Sequence, residues 1–155
     1  MEDRTFRNAM GRFATGVTVI TVEDDDGIHG MTANAFMSVS LDPKLVLVSI
    51  DNSASMLEKM KNTKTFGISF LSEAQRYLSM HYARQKLYDK EIDFDIIDGV
   101  PVLRHSLAAL ACDFYQQIPA GDHTLFLGEV DEILFDDGEP LTFYKGQYGR
   151  IEDTE

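Results

Sequence analysis

GMTANAFMSVSLDPKLVLVSID, residues 30–51, decides how the rest of the chain is read. Two runs of opposite character meet in it. Leu45 to Ile50 (LVLVSI) is a run of Leu and β-branched residues with no polar break before Ser49, the pattern of a buried strand. Gly30 to Ser40 is instead rich in small and hydroxyl side chains, with one amide, Asn34. An ordinary core strand needs no Thr-Ala-Asn-Ala approach. Small residues let backbone N–H and C=O groups come close to a flat polar ligand, and Thr32, Asn34 and Ser38 add side-chain hydrogen bonds. Leu41-Asp42-Pro43 breaks the chain between the two runs.

Working outward, Phe6, Met10, Phe13 and Ala14 recur at helical spacing and predict an amphipathic helix over 3–14, ended by Gly16. Val17 to Val22 alternates as a half-buried strand, and Glu23 to Gly27 is a turn. Asn52-Ser53-Ala54-Ser55 opens a second helix, with Ser53 or Ser55 as N-cap and Met56, Leu57 and Met60 on one face. Phe66 to Leu71 predicts a strand and Ser72 to Tyr82 a capped helix, while the charged run 84–98 (RQKLYDKEIDFDIID) predicts a surface loop or short helix. Leu107 to Ile118 and Leu125 to Phe135 predict two long strands around a turn, and Thr142 to Tyr144 a last short one. A parallel sheet needs a crossover at nearly every step, and three short helices cannot supply them. The expectation is an antiparallel barrel with helices outside. At 155 residues, with no repeat or linker, one domain over 1–155 is expected.

The net charge of −12 argues against nucleic acid, whose phosphates need clustered Lys and Arg. The acidic residues fall in short groups, at 23–26, 91–98, 131–139 and 152–155, and read as solvated turns and edges. No apolar run approaches the ~20 residues that cross a bilayer, and MEDRTFRNAM lacks a signal core, so no membrane contact and a cytoplasmic location are expected. Cys112 stands alone and reads as a core thiol. His29, His81, His105 and His123 share no ligand spacing, so no metal site is expected. GxGxxG, P-loop, GxSxG and HExxH patterns are absent.

Three constellations remain. SIDNSASM (49–56) carries a strand end onto a helix start, where backbone N–H groups and the helix dipole favour phosphate; equally, its hydroxyls serve only as caps. Thr32 to Ala35, one strand earlier, can lie beside it in an antiparallel sheet. Gly121-Asp122-His123-Thr124 sits at the turn between the long strands. His123 there can donate to a carbonyl or phosphate, or is incidental to the turn. Tyr148-Gly149-Arg150 offers an aromatic ring and a forked cation suited to phosphate or carboxamide, or a solvated arginine.

FRNAMGRFATGVTVIT (6–21), HGMTANAFMSVSLDPKLVLVSID (29–51) and AGDHTLFLGEV (120–130) together resemble the short-chain flavin reductases. These are the NAD(P)H-oxidising components of two-component flavin-dependent monooxygenases, such as those acting on phenol or 4-hydroxyphenylacetate. The resemblance implies a mainly β fold: a split β-barrel of the flavin-reductase-like, FMN-binding type, antiparallel and Greek-key, with short flanking helices. It implies a homodimer with flavin near the subunit interface. Met31, Thr32, Ala33, Asn34 and Ala35 would then hold the flavin ring and ribityl chain. Ser49, Ile50, Asp51, Ser53 and Ser55 would take the ribityl and phosphate end, and Ala83, Arg84 and Gln85 the far end of FAD. Ser38, His123, Tyr148, Gly149 and Arg150 fall on the NADH side. Arg84 stands where the family commonly carries a small residue in a Gly-rich loop. Relatives often carry a basic residue around Asp51-Asn52-Ser53, so phosphate binding here leans on backbone and hydroxyl donors.

The activity implied is hydride transfer from NADH to FAD, with FMN possible, and delivery of reduced flavin to a separate aromatic-hydroxylating oxygenase. The cofactors carry that chemistry, and no side chain acts as acid or base. Backbone N–H groups near Ser49 and Asn34 are expected to meet charge developing at flavin N1 and O2, and His123 to orient the nicotinamide. NADH is favoured over NADPH because no basic cluster is evident for a 2′-phosphate. Two alternatives are an FMN-dependent oxidase of the pyridoxamine-phosphate-oxidase type and a non-catalytic flavin-binding protein. The first needs a basic substrate-phosphate pocket; the second has no use for His123 and Arg150.

Overall fold

The structure, a computed structural model, describes residues 1–153; Thr154 and Glu155, the end of the acidic tail, lie outside the described residues. Twelve strands and three α-helices follow in the order α1 (Asp3–Met10), β1 (Thr15–Gly16), β2 (Thr18–Asp24), β3 (Gly27–Ala33), β4 (Phe36–Leu41), β5 (Lys44–Asp51), α2 (Met56–Lys61), β6 (Thr65–Phe70), α3 (Arg76–Tyr82), β7 (Phe94–Ile97), β8 (Val100–Leu103), β9 (Ala108–Ala120), β10 (His123–Phe135), β11 (Thr142–Tyr144) and β12 (Gln147–Gly149). Seven strands form one sheet in the order β3-β2-β6-β9-β10-β5-β4, antiparallel at every step. β1-β11-β12 and β7-β8 form two small sheets.

The antiparallel, mainly β expectation holds, and among the described residues no ladder joins β3 to β4. These two edges are nonetheless consecutive in sequence, linked only by Asn34 and Ala35. Three Cα steps span at most about 11 Å, so the sheet curls until its edges nearly meet. Ser49 N–H donates to the Ala35 carbonyl (3.2 Å), tying the crossing to β5. LVLVSI is the strand it promised: Val48 and Ile50 are sealed in a core with Ile20, Met60, Phe66, Ile68 and Phe126. A second core of Val17, Val19, Leu71, Leu78, Leu103 and Leu141 lies under α3 and the small sheets. Cys112 is buried, and burial pushes its thiol up to about 12.

Four expectations need correction. The first helix ends at Met10, not near Gly16, with the Gly11 carbonyl taken by the Lys145 N–H (2.8 Å). Its apolar stripe is not covered within the chain: Phe6, Met10 and Phe13 are 54%, 55% and 76% exposed. Ser55 occupies the N-cap position of α2 without a side-chain cap bond. The charged 84–98 run contains β7, half of a hairpin packed across β6. Ser72 does cap as expected, reciprocally with Gln75, but it opens a 3-10 turn (Glu73–Gln75) that leads into α3.

A bulge between Val130 and Glu132 displaces Asp131 from the β9–β10 ladder and leaves it hydrogen-bonded to Asp113, with Asp98 and Glu129 near. Sharing a proton with Asp113 raises the Asp131 carboxyl to about 6. The folded chain therefore holds this proton more tightly than the unfolded one, and the pair's contribution to stability is lost as pH rises from about 4 through 6. Asp131→Asn is expected to raise Tm at pH 7 by about 1–2 °C, screened by solvent, and to flatten the pH dependence of Tm in that window. Thermal melts at pH 4, 5, 6 and 7 check this.

Candidate functional site

The 30–51 stretch is two sheet edges joined at Asn34-Ala35, and each edge has its own support. On β3, the Thr32 hydroxyl donates to the Ser79 carbonyl of α3 (2.7 Å), and Thr18 Oγ1 donates to the Ala33 carbonyl (2.6 Å). The Ser79 hydroxyl, itself buried, pairs with the Tyr148 hydroxyl (2.7 Å). Thr32, Ser79 and Tyr148 therefore link β3, α3 and β12. Met31 packs on the main core and Ile50 lies within it, so these two offer a ligand their backbone rather than their side chains. Asn34 and Ala35 are exposed at the crossing, and Ser38 is exposed on β4 opposite Val46. The Ser49 amide, expected to face a ligand, is spent on Ala35.

Two cavities flank this strand. One, about 430 Å³, is lined by Ile28, His29 and Gly30 of β3, Ser55, Met56 and Lys59 around α2, and His81, Tyr82, Arg84 and Leu87 at the end of α3. Gly30 is required there: a Cβ would stand 2.6 Å from the Tyr82 ring. Burial pushes the Tyr82 hydroxyl up to about 12. Arg84 takes φ +59 just after the helix, a left-handed conformation that suits glycine. The Tyr88 N–H donates to His81 Nδ1 (2.9 Å), which leaves the ring proton on Nε2. Asp24 lies 2.8 Å from His29 and 3.4 Å from Lys59; these contacts hold its carboxyl below the usual range, hydrogen bonding from His29 first. A chain of charge −12 thus gathers two cations and two imidazoles at one hollow.

The other cavity, about 400 Å³, is apolar: Phe13 to Val17, Phe36, Phe70, Leu71, Leu107, Pro140 and Leu141, with Thr18 and the Asn34 amide at its edge. Gly30 and Asn34 are four residues apart on one extended segment, about 13 Å. The two hollows therefore sit within one dinucleotide's reach.

Ser53 gives both its N–H and its hydroxyl to the Asp51 carboxylate (2.8 Å each), and these bonds hold that carboxyl low and charged. Asn52 is likewise occupied: its N–H donates to the Asp122 carbonyl (2.9 Å) and its Oδ1 accepts from Thr124 (2.7 Å). Of the polar residues in this run, Ser55 alone lines the cationic hollow. His123 pairs in register with Asp51 and has Nδ1 2.7 Å from Asp122. Tyr148 is clamped elsewhere, with the Arg76 guanidinium 4.8 Å over its ring and Phe143 against its edge. Gly149 closes β12, and Arg150 lies 3.7 Å from Glu73. No hydrogen bond or ring contact joins His123 to Tyr148 among the described residues. Ala83 caps α3, and the Gln85 N–H donates to the Met80 carbonyl (2.9 Å).

Sequence reading missed His29, Lys59, His81 and Tyr82, and the Phe13 to Val17 wall. Phe13 to Val17 and His29 lie inside the quoted runs 6–21 and 29–51, but no site role is assigned to them there.

Residues 10–152 match the model of the flavin reductase like domain. An NADH-dependent flavin reductase of Rhodococcus sp is 49% identical over 149 residues, covering 94% of this chain and 85% of that protein. The reductase component of 4-hydroxyphenylacetate 3-monooxygenase from Thermus thermophilus is 34% identical over 147 residues, covering 94% and 95%. The solved structure of the flavin reductase PheA2 superposes with a TM-score of 0.95 at 50% identity, over 99% of this chain and all of that one. With the motif, the identities and the superposition in agreement over nearly its whole length, the chain belongs to the flavin reductase like domain family.

Proposed function

We propose that the protein is an NADH-dependent flavin reductase that passes hydride from NADH to FAD, or to FMN, and supplies the reduced flavin to a separate oxygenase. One observation carries this: a single strand with an apolar slot at one end and a cationic hollow at the other, about 13 Å apart. A flavin nucleotide makes those two opposite demands. Its ring supplies the hydride acceptor when bound, and the chain supplies position and exclusion of water.

In this reading Asn34, Ala35 and the backbone of Met31 to Ala33 border the ring and ribityl chain. Ser55 and Lys59 meet the first phosphate, and Arg84, Gln85 and His81 meet the adenylate half of FAD. Asp51 and Ser53 support the turn beneath the ribityl chain through their mutual bonds. His123, Ser38 and the Tyr148-Gly149-Arg150 tail border the nicotinamide. Relatives of the chain act with NADH and as a monooxygenase component, which supports the same cofactors and an oxygenase partner here, one that hydroxylates an aromatic compound. The protein acts as one domain over 1–155, in the cytoplasm and away from membranes; among the described residues no helix is long and apolar enough to span one.

The curled sheet is a split barrel whose seam is Asn34-Ala35. A second copy covers the apolar side chains left exposed on β4, β9 and α1, among them Met37, Leu41, Tyr115 and Phe6, giving a homodimer.

Purified protein mixed with NADH and excess FAD, FMN or riboflavin is expected to oxidise NADH over many turnovers, only when flavin is added. In the same assay His123→Ala raises the NADH KM several-fold and leaves the flavin Kd unchanged. Flavin binding without turnover would point to a storage protein and sink the reductase.

A further inference from the structure

The apolar cavity contains one atom that packing does not explain. Thr15 Oγ1 is sealed from solvent and has no hydrogen-bond partner. Its residue is half of the two-residue β1, held by pairing with Phe143, and forms part of the cavity wall. A valine would fill the same volume without leaving a hydroxyl unpaired, so the threonine does nothing for the empty cavity.

We propose that Thr15 is a ring-positioning residue, whose hydroxyl hydrogen-bonds the polar edge of the flavin ring when that ring enters the cavity. This rests on the flavin reductase reading. The flavin ring is the occupant because Asn34 of the seam lines the cavity, its walls are apolar, and its polar side chains are few. The walls include Phe36 and Phe70, packed edge to face with ring centroids 4.9 Å apart, an aromatic surface for a ring to rest on. Threonine carries its methyl and hydroxyl on one carbon, so a single χ1 step of about 120° can bring the hydroxyl to the position the methyl held, the methyl moving to that of the hydrogen. The hydroxyl hidden in the free chain then reaches the cavity, and the bond gained with the ring offsets the rotation.

Riboflavin is the probe, because it has the ring without phosphate. Thr15→Val is expected to raise the Tm of flavin-free protein by about 3 °C, by removing an unpaired hydroxyl. It is expected to weaken riboflavin about 5–10-fold in fluorescence-quenching titrations. Thr15→Ser keeps wild-type binding. Opposite signs on stability and affinity are what a structural threonine would not give. Equal riboflavin affinity in Thr15→Val, or a lower Tm of the free protein, overturns the proposal. So does a raised NADH KM with unchanged riboflavin Kd, which would move the contact to the nicotinamide. If wild-type protein binds no riboflavin, FAD or FMN, the flavin reductase reading fails instead.

Discussion

Lys59→Glu combined with Arg84→Glu is expected to weaken FAD binding about 100-fold, and Arg84→Glu alone to spare FMN. The two cations line the same hollow but approach it from different elements, Lys59 from α2 beside Ser55 and Arg84 from the end of α3. A charge-assisted contact to phosphate contributes roughly 1.5–3 kcal/mol, and solvent exposure of this open hollow cuts that toward the low end. Each reversal then costs about tenfold, since about 1.4 kcal/mol is a factor of ten. FMN ends at its first phosphate, so it meets Lys59 and not Arg84: Lys59→Glu weakens both flavins, Arg84→Glu only FAD. Asp24 already shares Lys59 at 3.4 Å, which keeps the single effect of Lys59 modest. Calorimetric titration of each flavin into each variant gives the answer, and the gap between wild type and double variant narrows at high salt. Equal losses of FAD and FMN from Arg84→Glu would remove the hollow from the adenylate half of the cofactor.

The same hollow shows where sequence reading stops. Leu45 to Ile50 announces a strand because a buried strand imposes its pattern on every side chain along it. Thr32-Ala-Asn-Ala announces a close approach for the same local reason. His29, Lys59 and His81 come together from β3, α2 and α3, residues that nothing in spacing connects. Nor does a sequence say who receives a hydrogen bond. Thr32 reads as a ligand donor, yet its hydroxyl holds α3 against β3, and the two donors of Ser53 are taken by Asp51. The apolar stripe of α1 is legible as a stripe, but periodicity states that a face is apolar and not what covers it. β7 is hidden because Phe94-Asp-Ile-Ile97 is only four residues long, lies in a charged stretch and shows no alternation of burial. β1 and β12 are too short to have a period at all.

Gly67→Ala is expected to destabilise the fold by about 3–5 kcal/mol, enough to leave a domain of ordinary stability partly unfolded at growth temperature. Gly67 lies in β6, the middle of the sheet, between Thr21 of β2 and Ala111 of β9. Over it crosses β8, whose Pro101 carbonyl accepts the buried Thr21 hydroxyl, while the Leu103 N–H donates to Ser69 Oγ (3.0 Å). A Cβ on Gly67 would stand 2.5 Å from both the Pro101 oxygen and Thr21 Oγ1, and 3.0 Å from Val102 Cγ1. Neither partner can retreat cheaply, because one is backbone and the other belongs to the hydrogen bond that fastens the hairpin. Overpacking costs about 1–3 kcal/mol, and the two buried polar groups it separates cost about as much again. For 155 residues this is a fall in Tm on the order of 10–15 °C. Gly16→Ala is the control, since a Cβ there meets nothing within 4 Å, and its Tm is expected to stay within about 2 °C of wild type. Adding Thr21→Ala to Gly67→Ala removes one of the two clashes and one of the two stranded groups. The double variant is therefore less destabilised than the sum of the singles, with a coupling on the order of 1 kcal/mol in denaturant titrations. Additive losses, or a Gly67→Ala melt within about 3 °C of wild type, would mean that β8 does not lie on β6 as described.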